Sequence, residues 1–545
     1  MKNKLNNKEE IKNFIAKNGF DFTNYEFNCE FRFSDYVDGN SISKEVVFSK
    51  CIFKKKVDFN KVKFQKKVAF TENNQTLEPT IFEEEVVFNG TLFTDIADFS
   101  LCIFNGIVTF SRASFLSDFL LEGISIGKYL DLSNITVDKS IILKGATFTG
   151  EMSDAIPSLK MRSALIRGMA DLKDLKVKKA IFDYTKFEGR FELSKAEFYS
   201  YVSFRDVIFE SKSKMYRVKF FGETLFTNST FRDLIDFFGS EFHRPMIFYK
   251  TDFLSTSVFS RCTFKENVLF TYSLIDSVLI FRHAIFEKGL DLSLANNNGK
   301  INFFDTDLDI FSSVNHPDSI DEYEKCVSEE GKIPHKNKRE TFRIIKKVLV
   351  NENNIIDSLE FQQKEMISYH AEINVELKQK YEAKFTCGRF SSVFKIFKYL
   401  LKPIITIYLF FIFIKKFILA ILFKRKEYEE SAQIQLSEIS NNYGLSWLQG
   451  LLFTISISIF FFILYFFSVK DLPFDWGWVS FDSFWIATSE VFKSYFIFLL
   501  PTHRFNEFSS LNPTGLSYFI DIIARVFITY GIYQTVQAFR KFGKR

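Results

Sequence analysis

Large apolar residues recur through the first half of the chain at alternating gaps of five and six residues. One run is Phe48, Phe53, Phe59, Phe64 and Phe70, and a longer one continues from Phe220 to Leu292. An α-helix turns the same face to a core every 3.6 residues, so this spacing is not that of a helix. The pattern predicts short strands that turn and wind into a solenoid.

The series tolerates aliphatic residues, and it is interrupted twice. Leu121, Ile126 and Leu132 keep the rhythm in place of Phe, which indicates one kind of pocket that accepts several apolar side chains. We expect a one-residue insertion within residues 73–79 and a loss of register between residues 151 and 180. The demand for an aromatic ring explains why 72 of the 545 residues are Phe.

A smaller apolar residue often stands two positions before the large one. Side chains alternate along a strand, so both members of such a pair point to the same side and predict an inward-facing column. Cys51, Cys102 and Cys262 hold the small position, and we interpret them as fillers of small core pockets. The six cysteines form no CxxC pair, which argues against a zinc site and a disulfide framework.

Stretches such as VDFNKVKFQKKVAF and ADFSLCIFNGIVTF give the repeat its form: a small apolar residue, any residue, then Phe. The segment 26–310 thereby resembles the bacterial pentapeptide-repeat family, in its Phe-rich variant with an eleven-residue double unit. The resemblance implies a right-handed quadrilateral β-helix with two double units in each coil. Phe48 to Leu292 would then fill about 11 coils. The segment from Asn441 to Arg545 resembles the membrane tail of other family members.

Four segments follow from this pattern and from the composition around it. Residues 1–25 lack an apolar core of signal-peptide length and predict an amphipathic N-terminal cap. Residues 26–310 form the β-helix, and residues 311–392 a helical linker. Helices near 339–350 and 355–383 would make a hairpin over the open strand edge of the last coil. Residues 393–545 are apolar and predict an α-helical membrane region.

Within the membrane region, residues 447–469 and 516–537 are predicted to cross the bilayer. Residues 403–423 and 479–500 are ambiguous, because charged residues interrupt both. Basic clusters at 424–426 and 540–545 flank the strong spans. The positive-inside rule then predicts a multi-pass protein of the inner (plasma) membrane, with the repeats and the C-terminus in the cytoplasm.

Six polar residues of the membrane region are candidates for a pore or an intramembrane relay, because charge at membrane depth is costly. They are Glu490, Lys493, His503, Arg504, Asp521 and Arg525. The alternative interpretation is pairing within a helix bundle or contact with lipid headgroups. Asp521 and Arg525 lie one helical turn apart, where they can neutralise each other.

The charge balance and the motifs limit the function classes. Residues 21–310 carry 37 Lys and Arg against 40 Asp and Glu, which favours neither nucleic-acid binding nor mimicry of DNA. No nucleotide-binding, hydrolase or metalloprotease motif occurs in a suitable context, so we expect no enzymatic activity, cofactor or metal. The leading hypothesis is a scaffold that is anchored in membrane lipid and binds a cytoplasmic protein. The alternative is a channel-like or membrane-permeabilising effector, which could form a homo-oligomer through its membrane region and use the repeats as its sensor.

Overall fold

The computed structural model describes residues 2–71, 78–150, 156–309, 311–317, 319–381, 402–423, 426–470, 481–504 and 513–543. It divides into two compact units, Met1–Val348 and Leu349–Arg545, which we call the solenoid unit and the helical unit. Several predicted features fall wholly or partly outside the described residues: the start of the membrane region at 393–401, the basic residues 424–425 and 544–545, and residues 479–480.

The solenoid unit is a parallel β-solenoid of about 13 turns, as the periodicity predicted. Its strands are mostly two residues long and lie on four faces, and from Asp21 onward the chain follows these faces in the same order in every coil. The count exceeds the 11 expected coils because strands begin at Asn3 and continue to Asn302, beyond the Phe48–Leu292 series.

The strands of each face pair with those of the coils before and after. The first face contains Asn3–Leu5, Tyr25–Phe27, Ile52–Phe53, Ile81–Phe82, Ile103–Phe104, Ser125–Ile126, Thr147–Phe148, Lys176–Ile181, Glu197–Ser203, Lys219–Phe220, Glu241–Phe242, Thr263–Phe264 and Ile285–Phe286. The second contains Phe31–Arg32, Val57–Asp58, Val86–Val87, Val108–Thr109, Leu130–Asp131, Leu159–Lys160, Glu223–Leu225, Met246–Ile247, Val268–Leu269 and Leu290–Asp291. Lys176–Ile181 and Glu197–Ser203 run on into the second face and join it to the first.

The third and fourth faces are separate sheets. The third contains Ser41–Ile42, Lys63–Phe64, Leu92–Phe93, Ser114–Phe115, Thr136–Val137, Leu165–Ile166, Lys186–Phe187, Ile208–Phe209, Thr230–Phe231, Asp252–Phe253, Leu274–Ile275 and Asn296–Asn297. The fourth contains Asp21–Thr23, Val46–Ser49, Val68–Ala69, Ala97–Asp98, Phe119–Leu120, Ile141–Ile142, Ala170–Asp171, Phe191–Glu192, Ser213–Lys214, Ile235–Asp236, Ser257–Val258, Val278–Ile280 and Lys300–Asn302.

Phe rings stack directly above one another inside the solenoid. Phe237 and Phe259 are fully buried, with ring centroids 4.8 Å apart and planes 12° apart. Phe226 and Phe248 stack at 5.8 Å in a different column. Each column therefore repeats once per coil, a 22-residue interval, and the eleven-residue series alternates between two columns. Full burial of such a side chain contributes roughly 1.5–3 kcal/mol relative to exposure.

Both interruptions of the series are seven-residue insertions. Phe82 pairs with Phe104 at the usual 22-residue interval. Phe53 pairs with Phe82 instead, and Lys55 contacts Glu84 across the same 29-residue interval. The one-residue insertion predicted within 73–79 was therefore wrong.

The second insertion has the same length as the first. Thr147 pairs with Lys176, and Arg167 contacts Asp138 across the same 29-residue interval. The rhythm continues after this insertion through buried residues that are not Phe: Met161, Ile166, Leu172 and Val177. The loss of register expected between residues 151 and 180 thus reflects the insertion and the change of residue type.

The six-residue gaps are longer because they contain a turn with a left-handed residue. In a typical turn the Val62 N–H donates to the Phe59 carbonyl at 3.3 Å, and Lys61 between them has φ +55°. Gly90 and Gly145 hold this position with φ +64° and +69°, but Leu101 holds it with φ +61°. Positive φ at the third turn residue is the feature of type II turns. The side chain of Leu101 is therefore strained where glycine is free.

Small hydroxyl and thiol side chains satisfy buried carbonyls at these turns. Thr251 Oγ1 donates to the Phe226 carbonyl at 2.7 Å and Ser273 Oγ to that of Phe248 at 2.6 Å. Cys262 Sγ donates to the Phe237 carbonyl at 3.1 Å, and Cys51 Sγ to that of Phe22 at 3.0 Å. Burial raises the pKa of the Cys51 thiol to about 12. These cysteines thus donate hydrogen bonds as well as fill small pockets.

Helices cover both ends of the solenoid. Near the N-terminus, α1 (Lys8–Asn18) buries Ile11 and packs Phe14 on Phe22 with ring centroids 4.6 Å apart. Two short 3₁₀ turns, Phe33–Asp35 and Asp38–Asn40, follow. At the other end, α2 (Ile320–Ser328) and α3 (His335–Asn351) follow the last coil.

Contacts from α3 to the last coil show how that end is closed. Asn337 Nδ2 donates to Asp291 Oδ2 at 2.9 Å, and Thr341 Oγ1 accepts from the Leu292 N–H at 2.9 Å. The sequence predicted a helix at 339–350 in this place. It did not predict α2, which lies in the helical linker ahead of the two helices expected there.

The helical unit contains six helices among its described residues: α4 (Ile355–Tyr381), α5 (Lys402–Phe423), α6 (Lys426–Asn441), α7 (Trp447–Ser468), α8 (Phe481–Leu499) and α9 (Gly515–Gly543). Two stretches in the described part, Trp447–Ser468 and Gly515–Arg540, are long and apolar enough to cross a membrane. They coincide with the two spans predicted at 447–469 and 516–537.

Candidate functional site

Helices α7 and α9 pack closely because small residues face each other. A side chain added at Gly450 would meet Thr535 Oγ1 at 2.7 Å, and one added at Gly531 would meet Thr454 Oγ1 at 2.4 Å. The threonines donate back to their own helices: Thr454 Oγ1 to the Gly450 carbonyl at 2.8 Å and Thr535 Oγ1 to that of Gly531 at 2.9 Å. Small residues that let two backbones approach are typical of helix pairs in membranes.

A buried polar cluster lies at the start of α9. Asp521 is 1% exposed, and its Oδ2 accepts from Arg525 Nε at 3.0 Å and Nη2 at 2.7 Å. His503, in the turn after α8, has a fully buried side chain whose Nε2 lies 3.1 Å from Asp521 Oδ1. The Nδ1 of His503 lies 2.6 Å from the Leu500 carbonyl, which can only accept, so Nδ1 carries the proton of that contact.

His503 Nε2 and Asp521 Oδ1 are close but are not aligned as a hydrogen bond, so this contact is attractive only when the imidazole carries a proton on both nitrogens. The carboxylate of Asp521 is therefore shared between one side chain of its own helix and one from a preceding turn. Removal of Asp521 would take from Arg525, whose side chain is 23% exposed, the carboxylate that it contacts through Nε and Nη2. The arrangement can hold the turn after α8 against α9.

The other predicted residues do not join this cluster. Glu490 and Lys493 lie on α8 with Nζ and Oε2 3.7 Å apart, and their side chains are 56% and 67% exposed. Arg504 is exposed next to the buried His503. Three of the six candidates, His503, Asp521 and Arg525, thus form one site, and the remaining three lie at the surface of the unit.

A second polar contact point was not predicted as a site. Lys416 lies in α5, in the apolar stretch whose lysines made residues 403–423 ambiguous. Its Nζ lies 2.9 Å from Ser431 Oγ on α6, 3.3 Å from Asn374 Oδ1 and 3.4 Å from His370 Nε2 on α4. The lysine therefore ties three helices together. Its charge was visible in the sequence, whereas its partners come from distant segments.

The outer sides of α7 and α9 are apolar. On α7 the exposed residues follow one another in steps of four: Leu451, Ile455, Ile459 and Ile463. On α9 the exposed apolar residues include Phe519, Ile522 and Val526. Polar residues of the same helices, Ser456, Ser458 and Ser517, are buried.

Histidines and carboxylates do not gather into a metal site anywhere in the part of the chain that the structure describes. On the solenoid, His283 Nδ1 lies 2.7 Å from Asp305 Oδ2 and His243 Nε2 lies 3.4 Å from Glu241 Oε2. These are pairs between single surface side chains. No protein-family model, curated protein or solved structure matches the chain.

Proposed function

We propose that the protein is a membrane-anchored scaffold, in which the helical unit holds the solenoid at the plasma membrane and the solenoid binds a cytoplasmic protein partner. The observation that supports the anchor is the distribution of side chains on α7 and α9. Apolar residues cover their outer sides, and hydroxyl groups are buried between helices. Water favours polar side chains on the outside and apolar ones inside. Lipid favours apolar side chains on the outside, as on α7 and α9.

We further propose that the solenoid belongs to the pentapeptide-repeat family, in the Phe-rich variant. The regular stacking of one coil on the next and the columns of Phe rings support this assignment. A solenoid offers long, regular faces and exposes little of its interior, which suits the binding of another protein. The scaffold needs no catalytic step.

Flotation of the full chain with lipid vesicles in a density gradient, after a carbonate wash, tests the anchor. We expect the wild-type protein to float and to resist the wash, because α7 and α9 span the bilayer. The double variant Ile459→Lys with Ile463→Lys places two charges on the outer side of α7 and should sediment. The control Ile459→Leu with Ile463→Leu should float like the wild type. A wild-type chain that is released by carbonate would contradict the anchor.

Cysteine accessibility in whole cells tests the orientation. A background in which the native cysteines are replaced by serine is suitable, because Ser273 already donates the hydrogen bond that Cys262 donates elsewhere. Single cysteines at Glu430 and Thr502 should then be labelled from opposite sides of the membrane, with Glu430 on the cytoplasmic side. Labelling of both positions from the same side would contradict the two-span arrangement.

Ion flux through liposomes that contain the purified chain separates the scaffold from the channel-like alternative. A scaffold predicts no flux above that of empty liposomes. Flux that is lost in Glu490→Gln or Lys493→Gln, with unchanged reconstitution, would replace the scaffold by a channel. The two side chains are exposed on α8, so neither substitution disturbs a buried contact.

A further inference from the structure

The composition of the solenoid surface changes along its length. Between residues 41 and 150 one outward-facing aromatic residue occurs, Tyr129, and one arginine, Arg112. Between residues 176 and 304 the outward-facing aromatic residues are Tyr184, Tyr199, Tyr201, Tyr216, Phe221, Phe238, Tyr249, Tyr272 and Phe304. Tyr, Phe and Arg are enriched at protein–protein interfaces and Lys is depleted. The later coils therefore have the composition of a binding surface.

An open groove of about 870 Å³ lies in these coils, where the first and second faces meet, beside the end of α2. Tyr199 and Phe221 line it and stack on each other with ring centroids 5.7 Å apart and planes 3° apart. The ring of His243 lies 4.8 Å from Phe221 and is tilted by 42° against it. The two parallel rings of Tyr199 and Phe221 offer apolar contact area at little conformational cost.

Two arginines, Arg205 and Arg244, also line the groove. Several basic residues of the solenoid pair with a carboxylate of a neighbouring coil, as Lys265 does with Glu287 at 2.5 Å. In the described part of the chain neither Arg205 nor Arg244 has a carboxylate within ion-pair distance. A guanidinium presents a planar fork that binds a carboxylate through two hydrogen bonds. The groove thus combines an aromatic wall with two guanidinium groups available for an anion.

We propose that this groove is the partner-docking site of the solenoid, and that it takes an extended peptide segment of another protein in which an acidic side chain stands next to an aromatic or large aliphatic one. The inference rests on the proposed scaffold function and specifies its site. Glu223 and Glu329 line the same groove, so its charge is balanced. That balance disfavours a polyanion such as nucleic acid and favours a segment with isolated charges. The surrounding outward tyrosines extend the contact beyond the groove.

Selection from a phage library of random twelve-residue peptides against the full chain in lipid nanodiscs tests the proposal. We expect the selected peptides to be enriched in an Asp or Glu beside an aromatic or aliphatic residue. The affinity of a selected synthetic peptide, measured by fluorescence anisotropy, should fall at least tenfold in Arg205→Glu, Arg244→Glu and Tyr199→Ala. All three side chains are exposed, so the fold should be kept, which circular dichroism checks.

The matched control is Arg112→Glu, which reverses an exposed arginine outside the groove and should change the affinity less than twofold. Selected peptides without an acidic preference, or equal weakening by Arg112→Glu, would overturn the proposal. So would peptides that bind independently of Arg205 and Arg244, or a 20-nucleotide single-stranded DNA that binds with the same dependence on them. The flotation and flux results are independent of all these outcomes, because they test the membrane anchor and the channel-like alternative.

Discussion

The solenoid unit and the helical unit both bury apolar side chains, but α7 and α9 of the helical unit also carry apolar outer sides. In the solenoid, Phe237 and Phe259 are fully buried in a column, and charged pairs such as Lys265 and Glu287 lie outside. In the helical unit, Ile455 and Ile459 lie outside and Asp521 lies within. The exteriors of the two units thus suit different surroundings. The charged exterior of the solenoid suits water, and the apolar exterior of α7 and α9 suits lipid.

The largest effect on stability is expected from the loss of one ring in a solenoid column. Phe237→Ala should lower the free energy of unfolding by about 3–5 kcal/mol, because the substitution leaves a cavity between rigid coils that cannot close over it. The control is Phe238→Ala at the adjacent position. Because Phe238 faces outward, its replacement should lower the free energy of unfolding by less than about 1 kcal/mol. Urea unfolding followed by the β-sheet signal in circular dichroism measures both. Equal costs would mean that the column does not hold the coils together.

A charge on the outer side of α7 tests the other half of the comparison. Ile459→Lys should make the free energy of membrane insertion less favourable by about 2.5–3.5 kcal/mol, the cost of a lysine at the centre of a membrane helix. Ile459→Leu should be neutral. The fraction of glycosylated reporter in an insertion assay gives the free energy. If lysine inserts as readily as leucine, that side of α7 does not contact lipid.

The buried thiols make a smaller contribution that depends on pH. Burial raises the pKa of Cys51 to about 12, whereas an unfolded cysteine ionises near about 8.5. The folded state therefore keeps its proton after the unfolded state has lost it. The stability that Cys51 contributes is complete below about pH 8.5 and falls by about 2 kcal/mol between pH 8.5 and 10.

Cys51→Ser removes this dependence without removing the donor to the Phe22 carbonyl. The difference in unfolding free energy between wild type and Cys51→Ser should thus shift in favour of serine as the pH rises from 8 to 10. Groups other than Cys51 titrate equally in both proteins and cancel. A difference that does not change with pH would show that the thiol is not buried.

The smallest expected effect concerns a turn of the solenoid. Leu101 has φ +61°, so Leu101→Gly should stabilise the protein by up to about 1 kcal/mol, the left-handed strain less the added entropy of glycine. The reciprocal change, Gly145→Leu, places a side chain at the same turn position with φ +69° and should destabilise by a similar amount. Thermal unfolding compares the two. The melting temperature should rise in Leu101→Gly and fall in Gly145→Leu. Shifts in the same direction would contradict the turn geometry.

The solenoid could be predicted because its signal is carried by identical residues at fixed intervals. The second insertion concealed the rhythm, because the columns there are filled by Met161, Ile166 and Val177 instead of Phe. An aliphatic or Met residue at a given spacing is too common to reveal a column. Both insertions are seven residues long, whereas a search for strict periodicity tolerates shifts of only one residue.

In the helical unit, the ion pair of Asp521 with Arg525 could be predicted because the two lie four positions apart on one helix. The approach of His503 to Asp521 could not, because it depends on how the turn after α8 packs on α9. The same applies to Lys416, whose partners lie on two other helices. Periodicity along one helix is local, whereas these contacts are set by tertiary packing.

The columns of rings repeat once per coil, so the number of coils sets the length of the solenoid. Each coil pairs only with the coil before and the coil after. Duplication of the segment that forms one coil would therefore lengthen the solenoid by about 4.8 Å and leave both capped ends unchanged. The distance between a bound segment and either end is thereby set in whole steps by the number of coils between them.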